Sequence, residues 1–166
     1  MSFLSPAFFL FFPLISLVYF CLPTGLRAPW LLLASGYFCL SAGPSSLFFL
    51  LCALAVTYMG ARVLEGLEGG RRKLLLTGLL LLLFGTLFLF KYLTFALSLL
   101  SRLLQAAGIT FIPPELSLSL PAGISFYLFM AAGYLIDVYR GQVEAERNLL
   151  RLGLFLSFFP YLISGP

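Results

Sequence analysis

The chain contains no histidine, and charge is scarce: 10 Lys or Arg and 6 Asp or Glu in 166 residues. Without histidine the commonest general base at neutral pH is missing. No Ser-His-Asp or Cys-His arrangement can be assembled from these residues alone. No glycine-rich phosphate loop and no paired-carboxylate motif stands out. A soluble domain usually carries about 25% charged residues; here the share is 10%. That is too little to cover the outside of a water-soluble fold. Cysteine is sparse as well. Cys21, Cys39 and Cys52 lie in or at the edge of apolar stretches and are not at metal-ligand spacing. They read as small buried hydrophobes rather than as metal ligands or disulfide partners.

What is present is apolar. Hydrophobic residues make up 61% of the chain, and residues 1–26, 28–61 and 74–90 contain no charge at all. Roughly 20 apolar residues of helix cross the hydrocarbon core of a bilayer. In lipid every backbone N–H and C=O must be satisfied internally, so only helices and closed barrels span it. Barrel strands alternate apolar with polar residues, whereas Leu74–Phe90 is continuous. The expectation is an all-α, polytopic transmembrane protein with about six membrane segments and an interfacial helical extension. The N-terminal run has no basic residue before Arg27 and no clean small-residue cleavage pattern. It reads as a retained membrane helix, not a signal peptide.

The first segment is expected from Ala7 to Leu22, bent at Pro13. Pro23, Gly25 and Pro29 predict a turn carrying Arg27. A short second segment follows from Trp30 to Ser41, then a turn at Gly43-Pro44. The third runs from Leu47 to Leu64. The polar stretch Arg62–Lys73 holds Glu65, Glu68, Arg71 and Arg72. The fourth segment, Leu74–Phe90, continues helically to Ala107; its later part, with Lys91, Arg102 and Gln105, reads as lying along the interface. Residues 108–120 predict a loop. Pro121 suits the first turn of a helix that ends at Gly141. The last segment spans Asn148 to Ile163, bent at Pro160.

The net charge of +4 does not point to nucleic acid, because the basic residues sit at the ends of apolar runs. They serve as topology signals. With the fourth segment crossing once, Arg27, Arg62–Lys73, Arg140, Arg147 and Arg151 share one side, expected to be cytoplasmic. The N-terminus is then extracytoplasmic. A second crossing by residues 92–107 is the alternative.

Charged groups near membrane segments are costly and mark candidate sites. Lys91 reads as a snorkelling interface lysine or as a site residue. Asp137 and Arg140, one helical turn apart, can pair on one face, flanked by Tyr134 and Tyr139. They close a helix end or line a polar cavity. Ser125, Gly123 and Gly133 permit close helix packing.

The strings Leu120–Tyr127, Tyr134–Gly141, Glu146-Arg-Asn148, Ser157–Pro160 and Ser164-Gly-Pro166 resemble the membrane-bound O-acyltransferase family. The likeness is to the subgroup of alginate O-acetylation and teichoic acid D-alanyl transfer membrane proteins. Phe3–Pro13 and Phe90-Lys91-Tyr92 look similar at matching places. The resemblance implies transfer of an acyl group, acetyl for alginate-type enzymes, from a cytoplasmic acyl-CoA or acyl carrier protein. The acceptor is an exported polysaccharide, with an extracytoplasmic modifying partner. No resident cofactor or metal is implied. The family's catalytic histidine lies downstream of the Gly-Pro, so residues 1–166 correspond to an N-terminal portion and no residue here takes the catalytic role. Lys91, Ser125, Tyr134, Asp137, Tyr139 and Arg140 are the implied donor- or substrate-lining residues. Pro121, Gly123, Phe126, Phe158, Phe159, Pro160, Gly165 and Pro166 are the implied structural motif. A non-enzymatic scaffold or transporter subunit and an inactive remnant stay open as alternatives.

Overall fold

The computed structural model describes residues 6–106, 123–158 and 160, and these residues are helical apart from short connections. Six helices follow in order: α1 (Pro6–Cys21), α2 (Thr24–Ala42), α3 (Pro44–Glu65), α4 (Gly69–Ala106), α5 (Ile124–Arg140) and α6 (Leu149–Ser157).

Several expected boundaries move. α2 begins at Thr24, so Pro29 and Arg27 lie inside it rather than in a turn. Arg27 is retained there because its Nε donates to the Leu22 carbonyl at 3.1 Å and its guanidinium lies 5.2 Å from the Tyr19 ring centroid. One side chain thus satisfies a C-terminal carbonyl of α1 that has no helical partner. α3 begins at Pro44, in the first turn where proline costs no hydrogen bond. α4 runs unbroken through Lys91-Tyr92 for 38 residues, about 57 Å of helix. The helix expected from Pro121 begins instead at Ile124, after Gly123 at φ +73°. A left-handed residue cannot belong to the right-handed helix that follows. α6 ends at Ser157, and its 9 residues reach only about 13 Å, less than the ~30 Å hydrocarbon core; most of the expected continuation to Ile163 lies outside the described residues.

Among the described residues two helices are long and apolar enough to cross a membrane: Pro44–Glu65 and the Gly69–Tyr92 part of α4. Their outward faces carry large apolar side chains, among them Leu74 at 75% exposure, Leu81 at 69% and Phe48 at 63%. Such a face belongs against lipid rather than water. The described residues are thus helical, with two candidate membrane spans.

The core forms where α3, α4 and α5 meet. α5 buries Ile124, Tyr127, Leu128, Ala131, Ala132, Leu135 and Val138, a single helical stripe. α3 answers with small residues, Ala53, Thr57, Gly60 and Ala61, which let the helix axes approach. The approach is tight at Gly60, where an added Cβ would stand 2.6 Å from Leu79 Cδ1. α6 lies against α2 and α3, with Gly153 facing Leu32 and Leu54. A smaller cluster of Ile15, Ala34 and Phe38 joins α1 to α2.

Candidate functional site at the charged end

The connections gather most of the charge at one end of the bundle. α2 and α3 form a hairpin about Gly43, so Arg27 and Arg62 both lie far from that turn. Tyr58 Oη donates to the Arg147 carbonyl at 3.1 Å, and an Arg72 Nη donates to the Val138 carbonyl at 3.0 Å. These two bonds bring the end of α3, the start of α4, the end of α5 and the 141–148 connection together. Arg71, Lys73, Arg140 and Arg151 flank them in sequence. Lys91 and Arg102 are the basic residues outside this group.

The local chemistry explains the assembly. α5 stops at Gly141, at φ +72°. Gly141 N–H donates to the Val138 carbonyl and Gln142 N–H to the Asp137 carbonyl, each at 3.0 Å, the two bonds of a Schellman turn. The reversed chain passes back over α5. There the Glu146 N–H donates to the Tyr134 hydroxyl at 2.7 Å. The Glu146 carboxylate accepts from Asn148 N–H at 2.9 Å. Asn148 caps α6 by accepting from Leu150 N–H at 2.9 Å, satisfying one of its free donors.

Between α5, this connection and α6 lies a hollow of about 520 Å³. Tyr134, Asp137, Glu144, Glu146 and Arg151 supply its polar groups; Met130, Leu152 and Phe155 supply its apolar wall. The size falls in the range of small-molecule sites, which combine a mostly apolar wall with a few polar groups. Among the described residues no group of His, Cys, Asp or Glu is arranged to hold a metal ion.

Of the residues singled out from sequence, Tyr134 and Asp137 line this hollow. Tyr139 instead receives the Arg72 guanidinium at 5.4 Å. Arg140 is exposed at the helix end, outside the lining. Asp137 and Arg140 form no ion pair; the Asp137 carbonyl is engaged in the turn. Ser125 and Phe126 sit partly buried in the first turn of α5, at its opposite end. Lys91 is exposed, its Nζ 5.8 Å from the Tyr92 ring. Phe158 and Pro160 are partly buried. Pro121, Phe159, Gly165 and Pro166 lie outside the described residues.

Sequence reasoning missed Arg72, Glu146 and Arg151 as site-building groups. Glu146 meets Tyr134 from 12 residues away through its backbone, and Arg72 meets Val138 from 66 residues away. No helical spacing encodes either contact. The one local signal was Gly141, which announces a reversal and so a chain returning over α5.

No family model matches the chain, and no solved structure matches it. Curated proteins do. The chain is 44% identical over 78 residues to the "Probable alginate O-acetylase AlgI" of Pseudomonas putida, covering 46% of this chain and 16% of that protein. The protein of the same name from Azotobacter vinelandii is 42% identical over 78 residues, 46% of this chain and 15% of that one. That from Pseudomonas fluorescens is 55% identical over 47 residues, 28% of this chain and 10% of that one. The match thus spans less than a fifth of the relatives' own length. Over that stretch the chain is a partial homologue of the AlgI alginate O-acetylases, and its resemblance to the membrane-bound O-acyltransferase family holds.

Proposed function

We propose that this chain forms part of a membrane-bound O-acyltransferase in a bacterial plasma membrane. The full assembly moves an acetyl group from a cytoplasmic donor, acetyl-CoA or an acyl carrier protein, toward hydroxyls of an exported polysaccharide. The observation that carries this reading is the partial identity to probable alginate O-acetylases. The clustering of basic residues at one end supports placing that end in the cytoplasm and the N-terminus outside. The helices shorter than a full span then complete about six membrane segments together with partner helices.

Within this reading the hollow beside Tyr134, Asp137 and Arg151 is a donor-side wall. Arg151 is the cation among the described lining residues and the group there that suits a phosphate or carboxylate of a donor, set against the carboxylates of Asp137, Glu144 and Glu146, and Phe155 with Met130 offers an apolar bed. Acyl transfer to a hydroxyl needs a positioned base. This chain has no histidine, so that base comes from another polypeptide segment, and an extracytoplasmic partner handles the polymer. The chain alone is inactive.

The test is genetic and chemical. Deleting the coding sequence in its host should lower the ester-linked acetyl content of exported polysaccharide, and re-expression should restore it. An unchanged acetyl content at confirmed loss of the protein would refute the assignment.

A further inference from the structure

A second hollow, of about 220 Å³, lies between α3, α4 and α5 toward the Gly43 end. Its wall is apolar: Phe49, Val56, Leu82, Leu83 and Ile124 line it, with Cys52 and Tyr127. Leu82 is 53% exposed and Cys52 is exposed, so the hollow opens onto the outward face of the two candidate spans. In a bilayer that face meets lipid chains. A dry apolar cavity of about 150 Å³ already accepts benzene, so this one has room for part of a hydrocarbon chain.

Tyr127 makes the hollow unusual. It is 1% exposed, and its hydroxyl is buried without a hydrogen-bond partner. Leaving a buried donor unpaired is costly, because the group loses its water and gains no partner. The other hydroxyl on the wall is already engaged: Thr86 Oγ1 donates to the Leu82 carbonyl at 2.8 Å. Tyr127 stands in the first turn of α5, at the end away from the charged connections, and helix side chains lean toward the N-terminus of their own helix. The hydroxyl therefore sits near an end of the spans, not at their middle. Glycerolipid ester carbonyls lie at that depth, at the outer edge of the hydrocarbon.

We propose that this hollow holds the acyl chain of a membrane glycerolipid, whose ester carbonyl accepts a hydrogen bond from the Tyr127 hydroxyl. Pure hydrocarbon would fill the space and leave the phenol unpaired; an ester supplies the acceptor at the depth required. The site is separate from the charged-end hollow and does not depend on acyl transfer.

The full chain in lipid nanodiscs is titrated with dioctanoyl phosphatidylcholine, ¹³C-labelled at its ester carbonyls, and with the dioctyl ether analogue. One net hydrogen bond predicts about a three- to tenfold preference for the ester. It also predicts a ¹³C carbonyl infrared band shifted to lower wavenumber. Tyr127→Phe keeps the ring volume and should abolish both the preference and the shifted band. Cys52→Phe, placed at the exposed mouth, should weaken retention of both lipids. Equal retention of ester and ether by the unmodified chain, as when water alone satisfies the phenol, overturns the proposal. So does an ester preference that survives Tyr127→Phe.

Discussion

Two glycines at helix ends should respond with opposite sign to the same substitution. Gly141 ends α5 at φ +72°, and a Cβ added there meets nothing within 4 Å. Gly141→Ala therefore carries no clash, only the conformational cost of a left-handed alanine, about 1–2 kcal/mol. Gly66 ends α3 at φ −86°, and its added Cβ makes only ordinary contact, 3.8 Å from the Val63 carbonyl. Gly66→Ala should stabilise by about 0.4–1 kcal/mol, because alanine narrows the unfolded chain's choices. For a chain of this length, 1 kcal/mol moves Tm by about 2–4 °C. Thermal unfolding in one detergent should thus show Gly141→Ala lower and Gly66→Ala higher than the parent. Gly141→Asn should fall between, since asparagine tolerates this region better. Equal shifts for the two alanines would refute the assignment of a Schellman turn at the end of α5. The consequence reaches the charged-end hollow, because that turn returns Glu146 to Tyr134.

Tyr134→Phe removes the acceptor of the Glu146 N–H and should destabilise by about 1 kcal/mol, with faster hydrogen exchange at that amide. Asn148→Ala removes the cap of α6 and should cost about 0.5–2 kcal/mol; Asn148→Ser should recover most of it in the same melt. Arg72→Lys keeps the charge but loses the planar group over Tyr139, so it should rescue Arg72→Ala only partly in thermal stability. In the host, Arg151→Ala at unchanged expression should lower polysaccharide acetylation more than Lys91→Ala, since Arg151 lines the hollow and Lys91 does not.

The helical, strongly apolar character was legible because it rests on solvation, which composition records directly. Charge-free residues 28–61 and 74–90 lie largely in α2, α3 and α4. Ends governed by glycine were also legible: Gly43 and Gly141 stop helices where expected. Proline misled. Pro29 was read as part of a turn, yet it sits within α2, where the Arg27 bridge to Leu22 holds the early helix. Spacing left two readings of Asp137 and Arg140, a pair closing the helix end or a polar lining; Asp137 lines the hollow while Arg140 ends the helix in the open. Spacing on one helix says which side chains can meet. It does not say which neighbour each prefers, and that is decided by chain returning from far away.

This division explains why the polar site lies at a helix end. Within the spans, side chains must be apolar outward and small inward, as Gly60 against Leu79 requires. That leaves little freedom for ionisable groups, which are expensive in hydrocarbon unless paired or hydrated. Beyond the spans the constraint lifts. The Gly141 reversal and the Asn148 cap confine residues 142–148 to a short return over α5. Carboxylates and Arg151 can then face Tyr134 without crossing the lipid boundary. Charged chemistry is gathered where solvation is cheapest, against a helix whose buried stripe fixes its position on α3 and α4.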